Sequence, residues 1–216
     1  MRSKFIELTP ELYEYLIAHG ARQDELLADV ERETDALGGI AKMQIGPDEG
    51  ALLALLARTV GARFAVEVGT FTGYSAICVG RALPDGGRLL CCEISDEWAA
   101  TAGWNIERAG LQDRVEIRVA PAIETLRSLS GDPPVDFAFV DADKPGYDAY
   151  YEELLRLMRP GALMVLDNML LGGRVLAPED DASVAMAALN EKIAADERVD
   201  CTMLGVADGI TIVRKR

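Results

Sequence analysis

The apolar positions of this chain change their period after Gly61. Up to that point they recur at three- and four-residue spacing, which sets them on one face of successive helices. Thr9-Pro10-Glu11 supplies a cap, a first-turn proline and an acid at the positive end of the helix dipole. Leu12 and Leu16, then Tyr13 and Ile17, follow at i,i+4 spacing, and Gly20 closes the helix. A second helix is predicted over 23–37, stopping at Gly38-Gly39. A third begins near Pro47-Asp48-Glu49 and carries Leu52, Leu53, Leu55, Leu56 and Val60. Beyond it come short apolar runs at 64–68, 88–93, 115–119, 137–140 and 163–166, separated by helix-like segments at 73–83, 96–109, 121–130 and 146–158. Such alternation predicts a parallel sheet with helices on both faces. Pro121, Gly131-Asp132-Pro133-Pro134 and Pro160-Gly161 read as turns. After a helix over 180–195, the runs 201–204 and 210–213 are joined by a link too short for a crossover helix, so they form an antiparallel pair. The fold class is α/β and doubly wound, in a single domain over 1–216 with residues 1–42 as an N-terminal helical extension.

Composition narrows the function more than the fold. The chain has 216 residues, half of them apolar, and a chain of that size can bury about 70% of its unfolded surface. A formal net charge of −14 repels nucleic acid and anionic membranes at long range, so neither is an expected partner. The basic residues Arg214, Lys215 and Arg216 read as a solvated tail. MRSKFIELTPEL has no apolar core of signal-peptide length, and the longest apolar run, 51–57, is too short to span a bilayer. A cytoplasmic location is expected. Cys91 and Cys92 should point to opposite faces of a strand, and the absence of a C-x-x-C pair offers neither a zinc site nor a disulfide framework. The one histidine, His19, falls near the end of a predicted helix, where a cation suits the dipole. A Ser-His-Asp mechanism has only this residue to draw on, so acid-base chemistry falls to Asp, Glu, Lys or Tyr.

VEVGTFTGYS places Glu67, Gly69, Gly73 and Ser75 between a strand and a helix. Glycines there let a ligand approach the backbone, and the helix start offers free N–H groups. Glu93 ends the next predicted strand, where an acid commonly accepts ribose hydroxyls. Together these features indicate a nucleoside cofactor. An NAD-dependent oxidoreductase is one reading. The spacing is G-x-x-x-G, however, the loop has no Lys or Arg, and Glu67 adds a negative charge that a pyrophosphate would meet. S-adenosylmethionine carries a sulfonium and an ammonium, and an acid favours both.

Asp141 closes one predicted strand, and Asp167 with Asn168 closes the next. Adjacent strand ends form the crevice where open α/β sheets bind ligands. Two carboxylates and an amide oxygen, with no His or Cys, select a hard divalent cation: Mg²⁺, Mn²⁺ or Ca²⁺. As purely structural residues the same acids would cap the helices that follow. Lys144, beside such a cation, would lose its proton more readily and become a usable general base. The alternative is a cap ion pair with Asp143 or Asp148. Asp143 itself reads as a cap or a support to the ligands. Tyr147, Tyr150, Tyr151, Leu154 and Met158 mostly repeat at helical spacing and read as packing.

VEVGTFTGYS, the strand acid Glu93, FVDADKPGYDAYY, VLDN and the closing DGITIVRKR together resemble the cation-dependent O-methyltransferases of the caffeoyl-CoA and catechol type. The resemblance runs from about Met43 onward, and the N-terminal helices are similar to those of small bacterial members. It implies a Rossmann-like, mostly parallel seven-stranded sheet with an antiparallel last strand. It implies S-adenosylmethionine contacts at Met43, Glu67, Gly69, Thr70, Gly73, Ser75, Glu93, Ala122 and Asp141. It implies a divalent metal, Mg²⁺ first among the candidates, on Asp141, Asp167 and Asn168, with Lys144 and Asp141 in the catalytic step. It further implies a homodimer with N-terminal segments in the contact. Ile45 replaces the small hydroxyl residue common in plant members, LLGGRVL lacks their Trp-Asn, and their substrate insertion is missing. The acceptor expected is therefore a smaller catechol-like or phenolic molecule rather than caffeoyl-CoA.

Overall fold

The computed structural model describes residues 6–216. The first five residues, part of the segment read for a signal sequence, lie outside the described residues. The Thr9 hydroxyl accepts the Leu12 N–H at 3.4 Å and opens α1 (Pro10–Gly20). His19 lies in the last turn of α1, its ring stacked on Tyr15. Asp24 caps α2 (Glu25–Asp35) through the Leu27 N–H at 3.0 Å. A 3₁₀ segment, Gly38–Met43, leads to α3 (Pro47–Thr59).

From there strands and helices alternate as the hydrophobic pattern predicts. The strands are β1 (Phe64–Val68), β2 (Arg88–Glu93), β3 (Val115–Val119), β4 (Val135–Val140), β5 (Met158–Leu166), β6 (Val199–Leu204) and β7 (Ile210–Lys215). Between them lie α4 (Tyr74–Ala82), α5 (Asp96–Arg108), α6 (Ala122–Ser128), α7 (Tyr147–Leu157) and α8 (Asp181–Ala195). The strands form one seven-stranded sheet in the order β3-β2-β1-β4-β5-β7-β6. β1 to β5 pair in parallel, and β7 runs antiparallel to both β5 and β6. The parallel inner strands and the antiparallel final pair are as the alternation predicts, and the seven-stranded sheet is as the resemblance implies.

Alternate side chains of each inner strand enter different cores. Val66, Val68, Ala138 and Val140 pack with Leu126, Tyr151, Leu154, Met186 and Leu189 of α6, α7 and α8. Ala65, Phe137 and Phe139 pack with Leu53, Ala57, Ile77, Ala102 and Ile106 of α3, α4 and α5. Burial on both faces explains why these strands read as continuous apolar runs.

Two expectations change. Pro160-Gly161 is not a turn: both residues lie inside β5, beside a shift in the β4–β5 register between Val135 and Phe137, with Gly161 at φ +81°. β4 correspondingly starts before Asp136, whose carboxylate takes the N–H groups of Arg63 and Phe64 at 2.8 and 2.9 Å and the guanidinium of Arg159. Burial pushes the Asp136 pKa up, but these donors outweigh it and hold the group below its ordinary value. The basic end is not a solvated tail either. Arg214 and Lys215 belong to β7, and the Lys215 ammonium donates to the Leu155 and Met158 carbonyls at 2.7 Å. Carbonyls at a helix C-terminus attract such a cation. Arg214 and Arg216 both pair with Asp200. The four cysteines are free thiols, with Cys78, Cys91 and Cys92 buried. No described helix is long and apolar enough to cross a membrane.

Candidate active site

The C-terminal ends of β1, β2, β4 and β5 open onto a cavity of about 880 Å³. Gly69 follows β1 with φ +89°, and a Cβ built there would lie 1.9 Å from the Asp141 carbonyl oxygen. The glycine is thus required twice, by its dihedral and by the approach of the two strand ends. Gly69→Ala is expected to cost at least about 2 kcal/mol and to push the ends of β1 and β4 apart. Thermal unfolding checks this, and an unchanged Tm would show the approach to be loose.

Glu93 is held by four backbone donors. One oxygen accepts the Thr70 and Phe71 N–H groups at 3.2 and 2.9 Å, and the other accepts Ile94 and Ser95 at 2.8 and 3.0 Å. The carboxylate is therefore fixed at the cavity wall, and a ligand hydroxyl binding there would share an oxygen with these main-chain donors.

On the other side of the cavity, the Asp141 and Asp167 N–H groups continue the ladders, donating to the Val68 and Val140 carbonyls at 2.9 and 3.0 Å. Val140 pairs with Leu166, so the two acids take the next step in register on strands about 4.8 Å apart. Asp167 is 3% exposed. Burial first, and the Asp141 charge second, hold its carboxyl well above the ordinary carboxylate range. Asn168 sits at φ 55°, a left-handed conformation Asn tolerates, and its N–H donates to Asp167 Oδ1 at 2.6 Å.

The Lys144 ammonium donates to Asp141 Oδ1 at 3.1 Å and to the Tyr147 hydroxyl at 2.8 Å. Tyr147 in turn shares its O–H between the Val140 and Asp167 carbonyls, each at 3.2 Å. The partner of Lys144 is thus Asp141, while Asp143 caps Gly146 and accepts from Tyr150, and Asp148 pairs with Lys192. Tyr147 packs as its spacing predicts, but its hydroxyl also ties Lys144 to both strand ends.

A family model described as O-methyltransferase matches residues 17–216. The chain belongs to that family. It is 40% identical to a catechol O-methyltransferase of Niastella koreensis, in a match covering 86% of this chain and 85% of that one. It is 37% identical to tricin synthase 1 of Oryza sativa subsp. japonica, over 94% of this chain and 87% of that one. Among solved structures, the O-methyltransferase TomG of Streptomyces achromogenes, in complex with SAM, matches with a TM-score of 0.88 and 33% identity, covering 95% of this chain and 96% of that chain.

In this O-methyltransferase the cavity brings together Met43, Gly69, Thr70, Ser75, Glu93, Ala122, Asp141, Lys144, Asp167 and Asn168. Two residues expected at the cofactor stand behind the wall. Gly73 opens α4 at φ +88° with Ala102 against it. Glu67 is fully buried on the α4 side, with the Cys91 thiol 3.9 Å from Oε1 and no partner on Oε2 among the described residues. Burial pushes its pKa up to about 8, with Ser75 and Cys91 as neighbours.

Sequence reasoning missed Glu49 as a site residue, treating it as an acid in a helix first turn. It lines the cavity and is 4% exposed. Its Oε2 accepts the Gly46 N–H at 3.3 Å, while Oε1 has no partner among the described residues. Burial first, and the neighbouring Asp167 charge second, raise its pKa. Nothing in the spacing distinguishes it from an ordinary dipole-facing acid.

Among the described residues, no group of three His, Cys, Asp or Glu side chains closes on a point that could hold a metal ion. The donor set is two carboxylates and an amide, and its chemistry fits a hard cation that completes its shell with water.

The three raised acids set a pH dependence. Each keeps its proton to a higher pH in the folded protein than in the unfolded chain. Their contribution is full below the unfolded values, 4.5 for the two glutamates and 3.8 for Asp167, and is lost as pH rises toward the folded value, about 8 for Glu67. In chelator, Tm is expected to fall by at least about 5 °C between roughly pH 5 and pH 8.5. A flat Tm across that window would contradict the assignment.

Proposed function

We propose that this chain transfers the methyl group of S-adenosylmethionine to a hydroxyl oxygen of a small catechol-like or phenolic acceptor, with a divalent cation required. The observation that carries this reading is the pair of strand-end acids Asp141 and Asp167 beside the Lys144 amine, in the same cavity as the fixed Glu93 carboxylate. Family membership supports O-methyl transfer, and the catechol O-methyltransferase relative supports a catechol-type acceptor. TomG, in complex with SAM, supports the donor.

On this reading Glu93 accepts the ribose hydroxyls, Met43, Gly69, Thr70, Ser75 and Ala122 line the cofactor, and Asp141 lies toward its methionine end. Glu67 acts from behind, as a neighbour of Ser75 that burial keeps largely protonated at neutral pH. Asp141, Asp167 and Asn168 hold the cation, with Mg²⁺ favoured over Mn²⁺ and Ca²⁺. Bound there, the cation would supply Lewis acidity that lowers the pKa of a coordinated hydroxyl. Lys144, as the free amine, takes the proton of the acceptor hydroxyl on Nζ. The oxygen then forms its bond to the methyl carbon as the carbon–sulfur bond breaks, leaving S-adenosylhomocysteine. Tyr147 and Asp141 hold Nζ in place, so positioning supplies much of the rate.

Calorimetric titration with S-adenosylhomocysteine and with NADH tests the cofactor, and methyl transfer over a panel of catechols, with and without EDTA, tests the rest. Binding of S-adenosylhomocysteine and chelator-sensitive turnover restored by Mg²⁺ are expected. Preference for NADH would favour the oxidoreductase, and full turnover in EDTA would remove the cation from the scheme. The same reading places the protein in the cytoplasm, where buried free thiols persist. It also makes a second copy of this chain the partner of α1, which buries none of its side chains and leaves Leu12, Tyr15 and Leu16 exposed. A monomer mass in sedimentation would refute the dimer.

A further inference from the structure

We propose that Glu49 is an outer anchor of the cation site, its free Oε1 accepting a hydrogen bond from water that the ion carries. This rests on the cation-dependent reading above. A carboxylate at the third position of a helix needs one oxygen for its cap, and Glu49 uses Oε2 for that, on the Gly46 N–H. Oε1 is left buried with no partner among the described residues. An unsatisfied buried acceptor of this kind costs roughly 1–3 kcal/mol, so a purely structural glutamate gains nothing by keeping it. The oxygen is also well placed for a ligand. α3 packs against β4 and β5, and Glu49 of α3 lines the same cavity as the strand-end residues Asp141, Asp167 and Asn168. Lys144, a cation that lines the same cavity, is engaged by Asp141 and Tyr147.

Direct ligation by all three acids does not fit, because three such side chains do not close on one point among the described residues. Contact through water does. A hard cation with two carboxylate ligands and an amide retains several waters, and their hydrogens need acceptors. Such supporting acceptors typically change metal affinity by about 10–100-fold.

The test is titration of the full chain with Mn²⁺ alone, followed calorimetrically, for the wild type, Glu49→Gln and Glu49→Asp. Glu49→Gln is expected to weaken Mn²⁺ by about 10–100-fold while leaving S-adenosylhomocysteine affinity in chelator unchanged. Glu49→Asp, which keeps the charge, should retain more Mn²⁺ affinity than Glu49→Gln. Wild-type Mn²⁺ affinity in Glu49→Gln overturns the inference and leaves the cation reading standing. Equal loss of Mn²⁺ and S-adenosylhomocysteine overturns it in favour of a structural role. A wild type that binds no Mn²⁺ removes the cation reading itself.

Discussion

Asp167→Asn is expected to lower methyl transfer at saturating Mg²⁺ by at least about 10³-fold, since several kcal/mol of Lewis-acid stabilisation are at stake. The fold should not suffer. An Asn side chain keeps an oxygen that can accept the Asn168 N–H, which Asp167 Oδ1 now takes at 2.6 Å. It also removes a buried acid whose charged form burial and the Asp141 charge disfavour. In chelator near pH 8 the variant should therefore melt at or above the wild-type temperature. Function and stability are opposed at this position, as is common where a site assembles like charges. Turnover and Tm are measured on the same preparation. Activity within about tenfold of wild type would mean that Asp167 holds no catalytic ion.

Lys144→Met is expected to reduce kcat by about 10²–10⁴-fold, the usual worth of a general base, with little change in affinity for S-adenosylhomocysteine. The separation of the two effects is the informative part. The Lys144 amine touches Asp141 at 3.1 Å and Tyr147 at 2.8 Å, so a purely structural lysine would be missed chiefly through displacement of Asp141. In that case cofactor affinity and kcat would fall together, and the base assignment would have to be abandoned.

How far the sequence revealed these residues depended on whether a residue's chemistry showed in its spacing. Asp141, Asp167 and Asn168 stood out because a polar group at the end of a doubly buried strand breaks an apolar run, and the strand-helix-strand repeat brings such breaks side by side. Glu93 stood out for the same reason. Glu49 did not, because an acid in a helix first turn is what the dipole alone selects. Its special status comes from burial and an unused oxygen, which only packing reveals. Tyr147 was half legible: the helical period predicts its ring in the core but not its hydroxyl between two carbonyls. Pro160-Gly161 misled because a register shift admits both residues within a strand. Lys215 misled because charge pattern says nothing about the carbonyls of Leu155 and Met158 that its ammonium finds.

The four amides around Glu93 have a consequence for recognition. A free glutamate loses up to about 2 kcal/mol of rotamer freedom when it is immobilised. Here that freedom is already gone before any ligand binds, because the chain's own main-chain donors clamp both oxygens. Were the proposed ribose diol to dock at this rim, it would meet a receptor that need not freeze, so selectivity there would turn on shape match rather than on adaptation.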